Sequence, residues 1–147
     1  MGLSMIKAMV VFASALGVAG CAKSLTADEM PRPRPGLWTW ADVANGVTEG
    51  TGQTCSSGRP LHLLGPACPE ITYDKTPDGV FETENKCDNG AKSDFKDRFS
   101  GDFQSSYVMD QSGVLDQPGK PLSVRTSRVT FTFAGPCRPG QTPDDVD

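Results

Sequence analysis

The chain has little of what catalysis and metal binding usually draw on. Among 147 residues there is one histidine, His62. It has no second histidine and no motif around it, so a packing or surface role is expected of it in place of metal ligation or general-base duty. No Cys-x-x-Cys occurs, which disfavours a thioredoxin-like redox pair and a zinc knuckle. Gly-x-Ser-x-Gly, His-Glu-x-x-His, a phosphate-cradling Gly-Lys-Ser/Thr loop and a dinucleotide Gly-x-Gly-x-x-Gly are absent. Positive charge is also short, with 14 Lys+Arg against 18 Asp+Glu. That balance leaves no basic footprint for nucleic acid. There are no internal repeats, no convincing long helix and no apolar run long enough to span a bilayer, which takes about 20 residues. No catalytic residue, metal or cofactor is expected.

What is present begins with an address. Lys7 precedes an apolar run from Ala8 to Gly20, and small residues follow, which is the layout of an export signal. Met5 would serve equally as the start. Leu16-Gly17-Val18-Ala19-Gly20-Cys21 resembles the lipobox of bacterial lipoproteins. The resemblance implies that residues 1–20 are removed and that Cys21 carries a diacylglycerol and, on its new amine, an acyl chain such as palmitate. Two or more chains give stable attachment, because each buried CH₂ contributes about 0.8 kcal/mol. Ala22 after the lipid, in place of Asp, implies an outer-membrane lipoprotein facing the periplasm.

The remaining 127 residues suit one domain. Lipidation of Cys21 would leave an even set, Cys55, Cys68, Cys87 and Cys137, which in an oxidising compartment predicts two disulfides. Residues 21–35 read as a lipidated spacer: Met30-Pro31-Arg32-Pro33-Arg34-Pro35 favours polyproline II, and Arg32 and Arg34 offer a contact for an anionic partner.

The domain is expected over 36–137, with a flexible acidic tail over 138–147. Leu37 to Val43 reads as a strand with Trp38 and Trp40 on one face, either as core or as a possible ligand face. Thr51 to Cys55 reads as a second strand. Thr76-Pro77-Asp78-Gly79 makes a hairpin turn between Ile71-Thr72-Tyr73 and Val80-Phe81-Glu82-Thr83. A two-residue loop sets Cys68 opposite Cys87; a three-residue loop with a bulge moves the register by one. Either way the pairing is Cys68–Cys87 and, by elimination, Cys55–Cys137. Phe95, Phe99, Phe103, Tyr107 and Met109 share odd parity around a Ser100-Gly101-Asp102 turn, with Lys96, Arg98, Gln104, Ser106 and Asp110 on the other face. Val129, Phe131 and Phe133 repeat the pattern in a last strand. The fold class is all-β: an antiparallel meander of about six or seven strands, stapled by disulfides and curled toward a partial barrel.

In order, Pro35-Gly36-Leu37-Trp38, Cys55, the Cys-to-Cys hairpin with Gly79-Val80, Phe99-Ser100-Gly101-Asp102-Phe103 and Gly135-Pro136-Cys137 resemble the bacterial exported family catalogued as domain of unknown function 3617. Its members carry a Cys-Leu-Thr-Pro-Glu-like stretch where this chain has Cys55-Ser56-Ser57-Gly58-Arg59. The resemblance implies fold and address and brings no reaction. Two functions follow as expectations. One is a non-enzymatic, lipid-anchored envelope domain that binds an envelope protein or a small apolar ligand, or serves envelope maintenance. The alternative is a carboxylate-dependent envelope hydrolase drawing on acids such as Asp94, Asp97 and Asp102.

Overall fold

The computed structural model describes residues 21–61, 70–88 and 90–144. The leader, His62 and Cys68 lie outside them. The strands are β1 (Lys23–Ser24), β2 (Gly36–Ala44), β3 (Val47–Ser56), β4 (Glu70–Lys75), β5 (Phe81–Asp88), β6 (Lys92–Gly101), β7 (Ser106–Asp116) and β8 (Ser123–Gly135). They form one open antiparallel sheet in the order β1-β4-β5-β6-β7-β8-β2-β3. The expected all-β meander is therefore present, with β2 to β8 matching the strands read from the sequence. The eighth strand, β1, is a two-residue addition paired to the edge of β4.

The turns follow local chemistry. Asn45 and Gly46 both take positive φ (51° and 77°), which a two-residue hairpin between β2 and β3 requires. Between β4 and β5 the register sets Lys75 opposite Phe81. The loop is the three-residue alternative, Pro77-Asp78-Gly79, closed by Thr76 N–H donating to the Val80 carbonyl at 2.9 Å. Gly79 sits at φ 87°, where a Cβ would be strained.

Odd-numbered side chains of β5 to β8 and even-numbered ones of β2 point inward. Met30, Trp38, Phe99, Phe103 and Tyr107 make the buried cluster, with Leu61, Tyr73, Phe81, Met109, Phe131 and Phe133 packed around it. Trp38 meets Tyr107 and Phe133 edge to face at 5.2 and 5.4 Å between ring centroids, and Tyr107 stacks on Phe131 at 4.4 Å. Such pairs add about 0.5–1.5 kcal/mol each beyond their buried area. Lys96, Arg98, Gln104 and Ser106 are exposed on the other side, as the parity predicts.

The proline-rich stretch read as a spacer is instead a strap laid over the inner face. Leu25 N–H donates to the Tyr73 carbonyl, Arg34 N–H to the Phe103 carbonyl, and Leu61 N–H to the Pro31 carbonyl. Met30 is 2% exposed, and Pro31 and Pro33 are buried. The Trp38 indole N–H donates to the Arg34 carbonyl at 2.9 Å, and the Arg34 guanidinium lies 4.3 Å over the Phe133 ring. Both arginines are exposed, but Arg34 is held against Phe133, and no such contact holds Arg32 among the described residues. The physical reason is that one face of an open sheet is a large apolar surface. Met30, Pro31 and Pro33 cover it, and the prolines bring no backbone N–H that would need a partner there.

Cys55 and Cys137 form the expected disulfide, Cα to Cα 5.4 Å, which ties β3 to the segment after β8. Cys87 is also a disulfide cysteine; its proposed partner, Cys68, lies outside the described residues. The tail is docked as far as Asp144, whose N–H donates to the Cys55 carbonyl at 2.6 Å. The frayed tail read from the sequence is corrected to that extent: the disulfide brings the segment back over the start of the 56–61 loop.

Candidate functional site

Side by side on the inner face, cross-strand neighbours form rows. One row is apolar: Phe81 pairs with Phe99, Phe99 with Met109, and Met109 with Val129. The adjacent row is polar: Thr83 pairs with Asp97, Asp97 with Gln111, and Gln111 with Ser127. Thr83 and Asp97 are 1% exposed and Ser127 is 5% exposed. A polar stripe through the interior of a small domain costs free energy unless its members pair.

The pairing is incomplete. Gln111 Nε2 donates to Asp97 Oδ1 at 3.0 Å. Thr83 Oγ1 and Ser127 Oγ are buried without a hydrogen-bond partner. Burial pushes the Asp97 carboxyl above its ordinary range, and the Gln111 bond and the nearby Thr83 hydroxyl hold it back in part. Thr83 stands close enough to act on the carboxyl but makes no bond of full hydrogen-bond geometry. Burial likewise pushes the Tyr107 hydroxyl well above the usual tyrosine range.

Asp97 and Gln111 open onto a cavity of about 340 Å³. Phe99, Tyr107, Met109 and Phe131 line its sheet side, Thr54 and Ser56 its β3 side, and Pro33, Pro60 and Leu61 its cover. β3 and β6 are four strands apart in the sheet, roughly 19 Å if it were flat. That both line one cavity means the sheet is strongly curled. The volume falls at the small end of the range for ligand sites, and a mainly apolar wall with few polar groups is their usual composition.

The rim carries Arg59 and Asp144. Asp144 accepts from Ser57 N–H at 2.9 Å through Oδ1, and from Ser57 Oγ at 2.6 Å through Oδ2. Arg59 Nε lies 3.5 Å from the same Oδ2. This clasp fixes the 56–61 loop beside the cavity.

The residues singled out in the sequence fall as follows. Trp38 is wholly buried between Tyr107 and Phe133, and Trp40 lies against β3, where a Cβ at Gly52 would come within 2.6 Å of its ring. Neither is among the residues that line the cavity, whose sheet side is carried by β3 and by β6 to β8. Trp38 is taken up by core packing because the strap covers it. Cys21 is exposed and outside any disulfide. Asp94 is exposed on the outer face. Asp102 sits at the β6–β7 turn, where its Oδ1 accepts from the N–H groups of Gln104, Ser105 and Ser106 at 2.8 to 3.0 Å, and the Ser105 hydroxyl also bonds it. These bonds hold its carboxyl well below the usual range. Asp94, Asp97 and Asp102 therefore do not converge: one faces out, one faces in, and one braces a turn.

The sequence reading missed Asp97 as an inward residue, and Gln111, Arg59 and Asp144 altogether. Parity would have found the first two: Asp97 interrupts the odd row Phe95-Asp97-Phe99, and Gln111 continues Tyr107-Met109. No signal marks the loop residues. Among the described residues no group of three His, Cys, Asp or Glu could hold a metal ion. No protein-family model, curated protein or solved structure matches this chain.

Proposed function

We propose that this protein is a lipid-anchored binding module of the bacterial envelope that holds a small, mainly apolar ligand inside its curled sheet. The observation that carries the reading is the cavity of about 340 Å³ walled by Phe99, Tyr107, Met109 and Phe131, with one buried carboxyl on its wall. The anchor rests on the sequence alone, through the lipobox-like run ending at Cys21. The Cys55–Cys137 disulfide supports an oxidising compartment such as the periplasm. An outer-membrane address and kinship with domain of unknown function 3617 remain part of the proposal on the residues quoted above.

The hydrolase alternative has one observation in its favour, since Asp97 and Asp144 line the same cavity. A general base or nucleophile needs a free lone pair aimed at substrate. Both Asp144 oxygens are engaged, by Ser57 and Arg59, which favours binding over hydrolysis.

Native mass spectrometry of the chain extracted from membranes in mild detergent tests the reading. The expected species begins at Cys21, carries acyl chains and retains a small non-covalent molecule. A Leu61→Trp variant, which fills the cavity cover, should lose that molecule and keep the acyl chains. A chain without acyl mass defeats the anchor. A small molecule retained equally by Leu61→Trp defeats the site.

A further inference from the structure

Asp97 is an acid that makes no ion pair among the described residues, and Arg125, on the same inner face, is taken by Asp42 and Glu49. Asp97 is 1% exposed and lines the cavity. Its inner-row neighbours are Thr83 on β5 and Gln111 on β7, both neutral. The nearest cations along its own strand, Lys96 and Arg98, stand on the opposite face and pair with Glu82 at 2.9 Å each. At the rim, Arg59 pairs with Asp144. Among the described residues no lysine or arginine pairs with Asp97.

A carboxylate in such a place is costly unless a cation or several donors meet it. Gln111 supplies one donor to Oδ1. The structure thus has an acidic group on an apolar wall with capacity left to accept.

We propose that the cavity takes a small organic amine with an apolar body, its ammonium seated against Asp97. This rests on the reading of the cavity as a ligand site and names the ligand class. An ammonium group offers up to three donors and one positive charge, which matches the carboxylate in charge and in hydrogen bonding. Phe99, Tyr107 and Phe131 line the same cavity, and an aromatic ring attracts a cation placed over its face within about 6 Å. The apolar body covers Met109 and the ring edges. A volume of about 340 Å³ admits on the order of ten non-hydrogen atoms. A carboxylate-headed ligand would meet like charge, and an alcohol-headed one would leave the carboxylate without a counter-ion.

Calorimetric titration of residues 21–147 carrying Cys21→Ser, exported behind an ordinary cleavable signal so that neither leader nor lipid remains, compares three probes of one length: octylammonium, 1-octanol and octanoate. Octylammonium is expected to bind at least tenfold more tightly than 1-octanol, with octanoate weakest. Asp97→Asn should bring octylammonium down to the 1-octanol affinity and leave 1-octanol unchanged. If 1-octanol matches or exceeds octylammonium in the unaltered cavity, the amine assignment is wrong and the ligand site stands. If none of the three binds, both fall. The three-probe ranking needs no change at Asp97, so it decides the matter even where Asp97→Asn fails to fold.

Discussion

An aspartate between two phenylalanines on an inward row carries a signature that can be measured without any ligand. Burial raises the Asp97 carboxyl above its ordinary value of 3.8, so on raising the pH the unfolded chain gives up this proton before the folded chain does. Ionisation then favours the unfolded state, and the native protein loses stability as pH climbs from below that value through the raised one. Asp97→Asn removes the effect. Urea denaturation should show Asp97→Asn gaining stability relative to the parent protein between about pH 3 and pH 7, with the gap smallest at the acid end. A gap that stays constant across this range would place Asp97 in contact with solvent, and a gap that moves in the parent's favour as pH rises would place it beside a cation. At this scale the sequence was partly legible. The alternation Phe95-Asp97-Phe99 assigns Asp97 to the apolar face, yet the three nearby aspartates read more readily as a solvated group. Which residues would stand across from it, Thr83 and Gln111, depends on registers that no local pattern states.

Hairpins were the most readable elements, because their turns need particular residues. Thr76-Pro77-Asp78-Gly79 announces a turn, and Asn45-Gly46 carries the strongest short hairpin signal of all. Parity then sorted the β6 and β7 side chains correctly, since one face of the sheet is apolar. The strap was not readable. A proline-alternating segment has the same composition whether it stands in water or lies on a sheet, and the surface it covers exists only after β2 to β8 have assembled. The two possibilities differ sharply in one residue. Met30 in a free spacer would tolerate alanine without effect. Packed at 2% exposure against Trp38 and Phe99, it makes Met30→Ala cost about 2–5 kcal/mol in chemical denaturation. A loss under about 0.5 kcal/mol would return the segment to solvent.

For the whole molecule, the curl of the open sheet explains why there is a cavity. A flat sheet would leave its apolar face to water. Here the sheet curls, the strap and the 56–61 loop cover the gap, and the disulfide from Cys55 to Cys137 with the Asp144 clasp fixes that loop. The fold class was legible because it follows from alternation and turns summed over the chain. The cavity was not, since it lies between elements far apart in sequence: Thr54, Asp97, Met109 and Phe131 meet only through the curl.

Residues 21–147 contain two methionines, Met30 and Met109. Met109 lines the cavity and Met30 sits in the neighbouring core. Methyl-labelled methionine NMR of residues 21–147 therefore reads site and control in one spectrum. On titration with octylammonium the Met109 methyl signal should move saturably while the Met30 signal stays within a small fraction of that change. A Met109 signal that does not move, or two methyls that move together without saturation, would contradict the existence of a ligand site inside the curled sheet.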